Sequence, residues 1–213
     1  ILHMPKRFAL LAYLASASPS GHHRRDTLLG LLWPDRDERR ARAALSRTLY
    51  DLRQALGDGV VVSLGNDHVG LDWERVWCDV VAFERAIEEG ALEEALDLYR
   101  GDLMPGFHVP GSIEFERWLD QERTRLRDRA VRAALDLADR GVDPRGYSRR
   151  AREIDPDNER VLRRRLEILD TTGDRAMALR EYEAFARRIS DEYDSEPAPA
   201  TRALIETIRT RVD

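Results

Sequence analysis

The segment WPDRDERRARAALSRTLYDLRQALG, residues 33–57, admits one regular structure. Ala41, Leu45, Leu49, Leu52 and Leu56 recur at spacings of four, four, three and four, which gathers them into one apolar stripe on an α-helix. Asp35 followed by Glu38 reads as a capping box at its start, and Gly57 as its stop. At about 100° per residue, Arg39, Ala43, Ser46, Arg47, Tyr50 and Arg53 fall on the opposite side. The stripe demands a core to pack against. The other face offers guanidinium donors, a hydroxyl, a phenol and a small residue that permits close approach, a set able to enter a DNA major groove.

Charge gives this segment its second constraint. It holds six arginines (Arg36, Arg39, Arg40, Arg42, Arg47 and Arg53) in a chain with 35 Lys+Arg against 40 Asp+Glu. Through Gly57 there are ten basic and five acidic residues, a net of +5; the whole chain is −5, so residues 58–213 carry −10. Such asymmetry points to an anionic partner for the first part alone. An ordinary solvated helix face, with Arg47 paired to Asp51 at i,i+4, is the competing account. Arg36 precedes the first turn and Arg42 flanks the stripe, which suits both to phosphate or surface contact.

The neighbouring segments favour the groove reading. KRFALLAYLASA sets Phe8, Leu11, Leu14 and Ala15 on one helical face, with SPSG ending it. RRDTLLGLLWP groups Leu28, Leu29, Leu32 and Trp33 and is stopped by Pro34. VVVSLGNDHVGLD reads as two short strands around a Gly-Asn-Asp turn, where Asn66 and His68 are further candidate contacts. Helix, helix, basic helix and hairpin is the order of a winged helix-turn-helix, whose last helix docks in the major groove.

Past WERVWCD the patterns become acidic and helical. Asp79 reads as an N-cap for VVAFERAIEEG, with Val80, Phe83 and Ile87 on one face. Gly-x4-Ala-Leu-x2-Tyr occurs twice, as Gly90, Ala95, Leu96, Tyr99 and as Gly173, Ala178, Leu179, Tyr182. A degenerate copy starts at Gly141, 32 residues before Gly173. That spacing is close to the ~34-residue period of tetratricopeptide helical hairpins, in which small residues let paired helices approach. RGDLMPGFHVPG is irregular chain whose Arg100-Gly101-Asp102 is turn chemistry. A long amphipathic helix over 113–140 directs Phe115, Trp118, Leu119 and Leu126 into a core. The arginine run 163–165, flanked by Glu159 and Glu167, reads as a solvated face.

Together RRDTLLGLLWPD, ARAALSRTLYDLRQALG, VWCDVVAFERAI and ALDLYRGDLMPGFHVPGSIEFERWLDQERTRL resemble bacterial regulators of the antibiotic-regulatory-protein (SARP) type, which join a winged helix to a bacterial transcriptional activator domain. The resemblance runs from about Lys6 to Arg209. It implies a mainly α fold, with a winged helix-turn-helix over 1–75 and a tetratricopeptide-like helical domain over 76–213. It also implies promoter binding that recruits RNA polymerase. The family usually has a small β-sheet ahead of the first helix, and this chain starts too late to contain it, so the expected DNA-binding domain either is truncated or has its first strands outside this sequence; ILHM at the start reads partly as a cloning remnant.

The expected function is therefore a DNA-binding transcriptional regulator. Its candidate contacts are Arg39, Arg40, Arg42, Ala43, Ser46, Arg47, Tyr50, Arg53, Asn66 and His68. The expected partners are double-stranded promoter DNA and RNA polymerase, with a homodimer on repeated sites as a further option. A scaffold or signalling module whose winged helix contacts protein is the alternative.

No catalytic residues, cofactor or metal are expected: there is no P-loop, GxSxG elbow or HExxH. His22-His23 is placed in a turn with no Cys or His at ligand spacing, and phosphate contact or solvation accounts for it better than zinc. One cysteine, Cys78, and no apolar run of about 18 residues fit a cytoplasmic protein with no membrane partner. One lysine against 34 arginines points to a GC-rich bacterial coding sequence.

Overall fold

The computed structural model describes residues 4–18 and 21–211. Ten helices and three short strands make the chain mainly α among these residues. It divides into two compact units, Ile1–Glu89 with Leu98–Leu126, and Gly90–Asp97 with Arg127–Asp213.

In the first unit, α1 (Pro5–Ser16), β1 (His23–Arg24), α2 (Arg25–Leu32), α3 (Glu38–Leu56), β2 (Val61–Leu64) and β3 (His68–Leu71) form a winged helix-turn-helix, followed by α4 (Asp79–Glu88). α1 packs on α2, α3, α4 and β3. Leu10, Leu14, Leu28, Leu32, Leu45 and Leu49 are its fully buried centre, joined by Phe115 and Leu119 from the start of α6 (Ile113–Asp139). The core face of α1 is Ala9, Leu10 and Leu14; Phe8, Leu11 and Ala15 are half-buried, so the stripe read from sequence is rotated by about one residue. The end of α1 is at Ser16, where the Ala17 N–H donates to Tyr13 O at 3.0 Å; of the SPSG stop, Pro19 and Ser20 lie outside the described residues.

The sheet is antiparallel in the order β1-β3-β2. β2 and β3 are the expected hairpin, with Val61 opposite Leu71 and Leu64 opposite His68. β1 was not expected. His23, placed in a turn from the sequence, is a strand residue opposite Val69. Its ring meets Tyr13 edge-on at 5.0 Å, and burial lowers its pKa, with His22 adding to the shift. Gly70 is what lets this strand come close: a Cβ there would lie 2.9 Å from the Gly21 carbonyl oxygen.

In the second unit, α7 (Pro144–Ile154) packs on α8 (Glu159–Thr171), α8 on α9 (Arg175–Tyr193), and α10 (Pro199–Thr210) on both α8 and α9. α5 (Leu92–Leu98) opens with residues of this unit. The three repeat glycines explain themselves, since Gly90, Gly141 and Gly173 have φ of 75°, 81° and 80°, a conformation that strains other residues at a helix end. Asp143 caps α7 by accepting from Gly146 N at 3.0 Å, and Asp174 caps α9 through Met177 N at 3.3 Å. Ala178 is fully buried among Leu162, Leu166, Leu169 and Phe185, with Tyr182 half-buried beside it.

The reading of 163–165 as a solvated face needs correction. Arg165 is buried and donates to Glu181, to Ser148 Oγ at 3.1 Å and to the Arg145 carbonyl at 2.6 Å. A guanidinium can be buried when its donors are matched this fully. Arg163 is tied to Thr201 Oγ1 at 2.9 Å, and Arg164 to Asp139 and Glu167.

Candidate nucleic-acid interface

α3 is anchored by its back. Leu45, Leu49 and Leu52 are each 1% exposed, and Ala41 and Thr48 are buried beside them. Leu56, expected to complete the stripe, is exposed, because the chain turns away at Gly57 (φ 95°) before any element covers it. The start also differs from the sequence reading. Asp37, not Asp35, is the N-cap, its Oδ1 accepting from Arg40 N at 2.9 Å, since Pro34 to Arg36 form the turn after α2. Glu38 in the first turn complements the helix dipole.

With the leucines inward, Arg39, Arg40, Arg42, Ala43, Ser46, Arg47 and Tyr50 are all exposed on α3. Their arginines have different surroundings. Arg40 pairs with Asp37 at 3.3 Å, and Arg42 with Glu38 at 2.8 Å and Asp26 at 3.5 Å. These pairs are solvent-exposed and contribute about 0–1 kcal/mol each, so a phosphate can displace the carboxylates. Arg39 has no carboxylate partner among the described residues. Arg47 offers only its Nε to Asp51 Oδ1, at 3.3 Å, while its guanidinium lies 5.6 Å from the Tyr50 ring centre. Asp51 is mostly buried and also accepts from Arg7, so it steadies Arg47 without enclosing it. The side chain of Arg47 stays 73% exposed.

Arg53 behaves otherwise. It is half-buried and reaches across to the wing, donating from Nε to Val61 O at 3.0 Å and from Nη2 to Ser63 Oγ at 3.0 Å. Asn66 is exposed in the turn of the wing, whereas His68 is half-buried in β3 between Arg24 and Leu64.

Beside this lies Arg25, which the sequence reading passed over. Its Nη2 donates to the same Ser63 Oγ at 3.4 Å, and its backbone N–H to Asp67 O at 2.7 Å. Its pKa is lowered, first by burial and then by the Arg53 charge, with Asp67 opposing. The Arg24-Arg25 pair at the head of α2 was the available signal, but β1 had to be known to see where it points.

No cluster of three or more His, Cys, Asp or Glu able to hold a metal occurs among the described residues, and none of their helices is long and apolar enough to cross a membrane.

Mycobacterium tuberculosis EmbR, solved in complex with a low affinity phosphopeptide, has a similar fold with a TM-score of 0.62 at 19% sequence identity. The match covers 99% of this chain and 61% of that one, so the chain spans about three fifths of EmbR. A comparison with curated proteins finds no match. The model of the bacterial transcriptional activator domain matches residues 78–209, which is more than half of the chain. The chain belongs to the bacterial transcriptional activator domain family.

Proposed function

We propose that this regulator binds double-stranded promoter DNA through the exposed face of α3 and the β2–β3 wing, and activates transcription through contact of its helical part with RNA polymerase. The observation that carries the reading is the division of α3 into a fully buried leucine back and an exposed basic front. A helix of about 10–12 Å diameter fits a major groove about 12 Å wide. On this reading residues 1–75 are the DNA-binding domain and 76–213 the activator domain, working in the cytoplasm as a non-enzyme. Arg47 and Arg39 are the candidates for base edges, with Ala43 and Ser46 allowing close approach. Arg40, Arg42, Asn66 and His68 contact the backbone, and a homodimer occupies repeated sites.

Residues 76–213 carry −7 of the acidic excess beyond Gly57, which supports a protein partner for the helical part, because it would repel a second segment of duplex. Selection from a random duplex pool, followed by affinity measurements across salt, tests the proposal. Enrichment of one motif is expected, with affinity falling steeply as salt rises. A pool that stays random, bound weakly and independently of salt, would favour a protein-contact module instead.

A further inference from the structure

We propose that Arg25, Arg53 and Ser63 form a clamp for one backbone phosphate of the bound duplex, at the root of the wing; this rests on the DNA-binding reading above. Three elements converge there, α2 through Arg25, α3 through Arg53 and β2 through Ser63.

The hydroxyl of Ser63 accepts from both guanidiniums, at 3.4 and 3.0 Å, which occupies its two lone pairs. Its own hydrogen is then left as a further donor. Arg25 Nε is buried and has no hydrogen-bond partner among the described residues. Neither guanidinium has a carboxylate within ion-pairing distance among those residues, although Asp67 is near enough to offset part of the repulsion at Arg25. The result is a cluster of two positive charges whose acceptors, Ser63 Oγ and Val61 O, are all neutral. An oxyanion satisfies such a cluster; a neutral or cationic group does not.

The phosphate belongs to DNA because of where the clamp lies. Arg53 is three residues beyond Tyr50 and seven beyond Ser46, so it continues the exposed ridge of α3. It is turned from the groove toward the wing by its bond to Val61 O. A duplex seated on α3 therefore carries its sugar-phosphate backbone past the wing root. Arg53 is thus a positioning contact for the backbone, in contrast to the base-reading role that helix phase alone suggests.

The full chain is tested with two probes, a duplex carrying the selected motif and a scrambled duplex of equal length. Arg25→Gln should weaken binding of both by the same factor, roughly tenfold at about 0.1 M salt, and make the salt slope shallower by about one unit. Arg25→Lys, which keeps the charge, should hold the slope near that of the parent, and Ser63→Ala should weaken both duplexes alike. Arg25→Gln with an unchanged slope, or a loss confined to the selected motif, overturns the clamp while leaving DNA binding by α3 in place. If the parent chain binds neither duplex, the DNA-binding reading fails and the clamp with it. A melting temperature for Arg25→Gln equal to that of the parent is expected. A large drop, with Arg25→Lys failing to restore the slope, would make Arg25 a structural residue and also overturn the clamp.

Discussion

Ala178→Glu is expected to unfold the helical part of the chain. Ala178 is fully buried on α9, where α8 and α9 meet among Leu162, Leu166 and Phe185. A carboxylate there would replace a side chain that is 0% exposed and packed among apolar neighbours. Burial of such a group raises its pKa by up to about 3–5 units, a deficit on the order of 4–7 kcal/mol at neutral pH. Overpacking adds about 1–3 kcal/mol. The total exceeds what most single substitutions cost and matches much of a domain's stability. Thermal unfolding followed by circular dichroism should show early loss of helix, and the deficit should narrow as pH falls and the carboxyl group is protonated. Normal melting of the variant would mean that the Gly-x4-Ala-Leu-x2-Tyr repeat does not mark a helix seam.

Leu49→Ala is the second large effect. Leu49 is 1% exposed and faces the core that α1, α2 and the sheet build behind α3. Truncation removes buried methyl groups and leaves a cavity, at a cost of about 2–5 kcal/mol. The melting temperature should fall accordingly, and DNA affinity with it, since this anchoring sets which face of α3 is exposed. Leu56→Ala is the natural contrast, because Leu56 is exposed at the end of the same helix and its loss leaves no cavity. Equal destabilisation by the two substitutions would show that the leucine stripe does not set the orientation of α3.

The leucine spacing of α3, the order of helices before the hairpin and the repeat glycines were legible because each is a local pattern. Periodicity places Leu45, Leu49 and Leu52 inward without knowledge of what they touch. What escaped depends on partners distant in sequence. β1 is two residues long and exists only through pairing with Val69 and His68, more than forty positions away. Arg165 looked like part of a solvated run because its partners, Glu181 and Ser148, lie on other helices. The N-cap slipped from Asp35 to Asp37 because both are good capping residues and only the turn after Pro34 decides between them. At the candidate interface, helix phase grouped Arg53 with Arg47, and only the reach of Arg53 to Val61 and Ser63 separates their roles. Arg25 entered with β1, for the same reason.

Whether the exposed face of α3 reads bases is decided by Arg47→Ala. Arg47 extends from that face beside Tyr50, engaged only through Nε with Asp51. Arg42, at the flank of the stripe and paired with Glu38, serves as the backbone comparison. Affinity for the selected duplex and for single-base variants of it, measured across salt, separates the two roles. Arg47→Ala should cost about 1–3 kcal/mol on the selected duplex and relax preference at one base position. Arg42→Ala should weaken all duplexes alike and make the salt slope shallower by about one unit. If Arg47→Ala lowers affinity for matched and mismatched duplexes equally, Arg47 does not read a base and α3 is not a recognition helix.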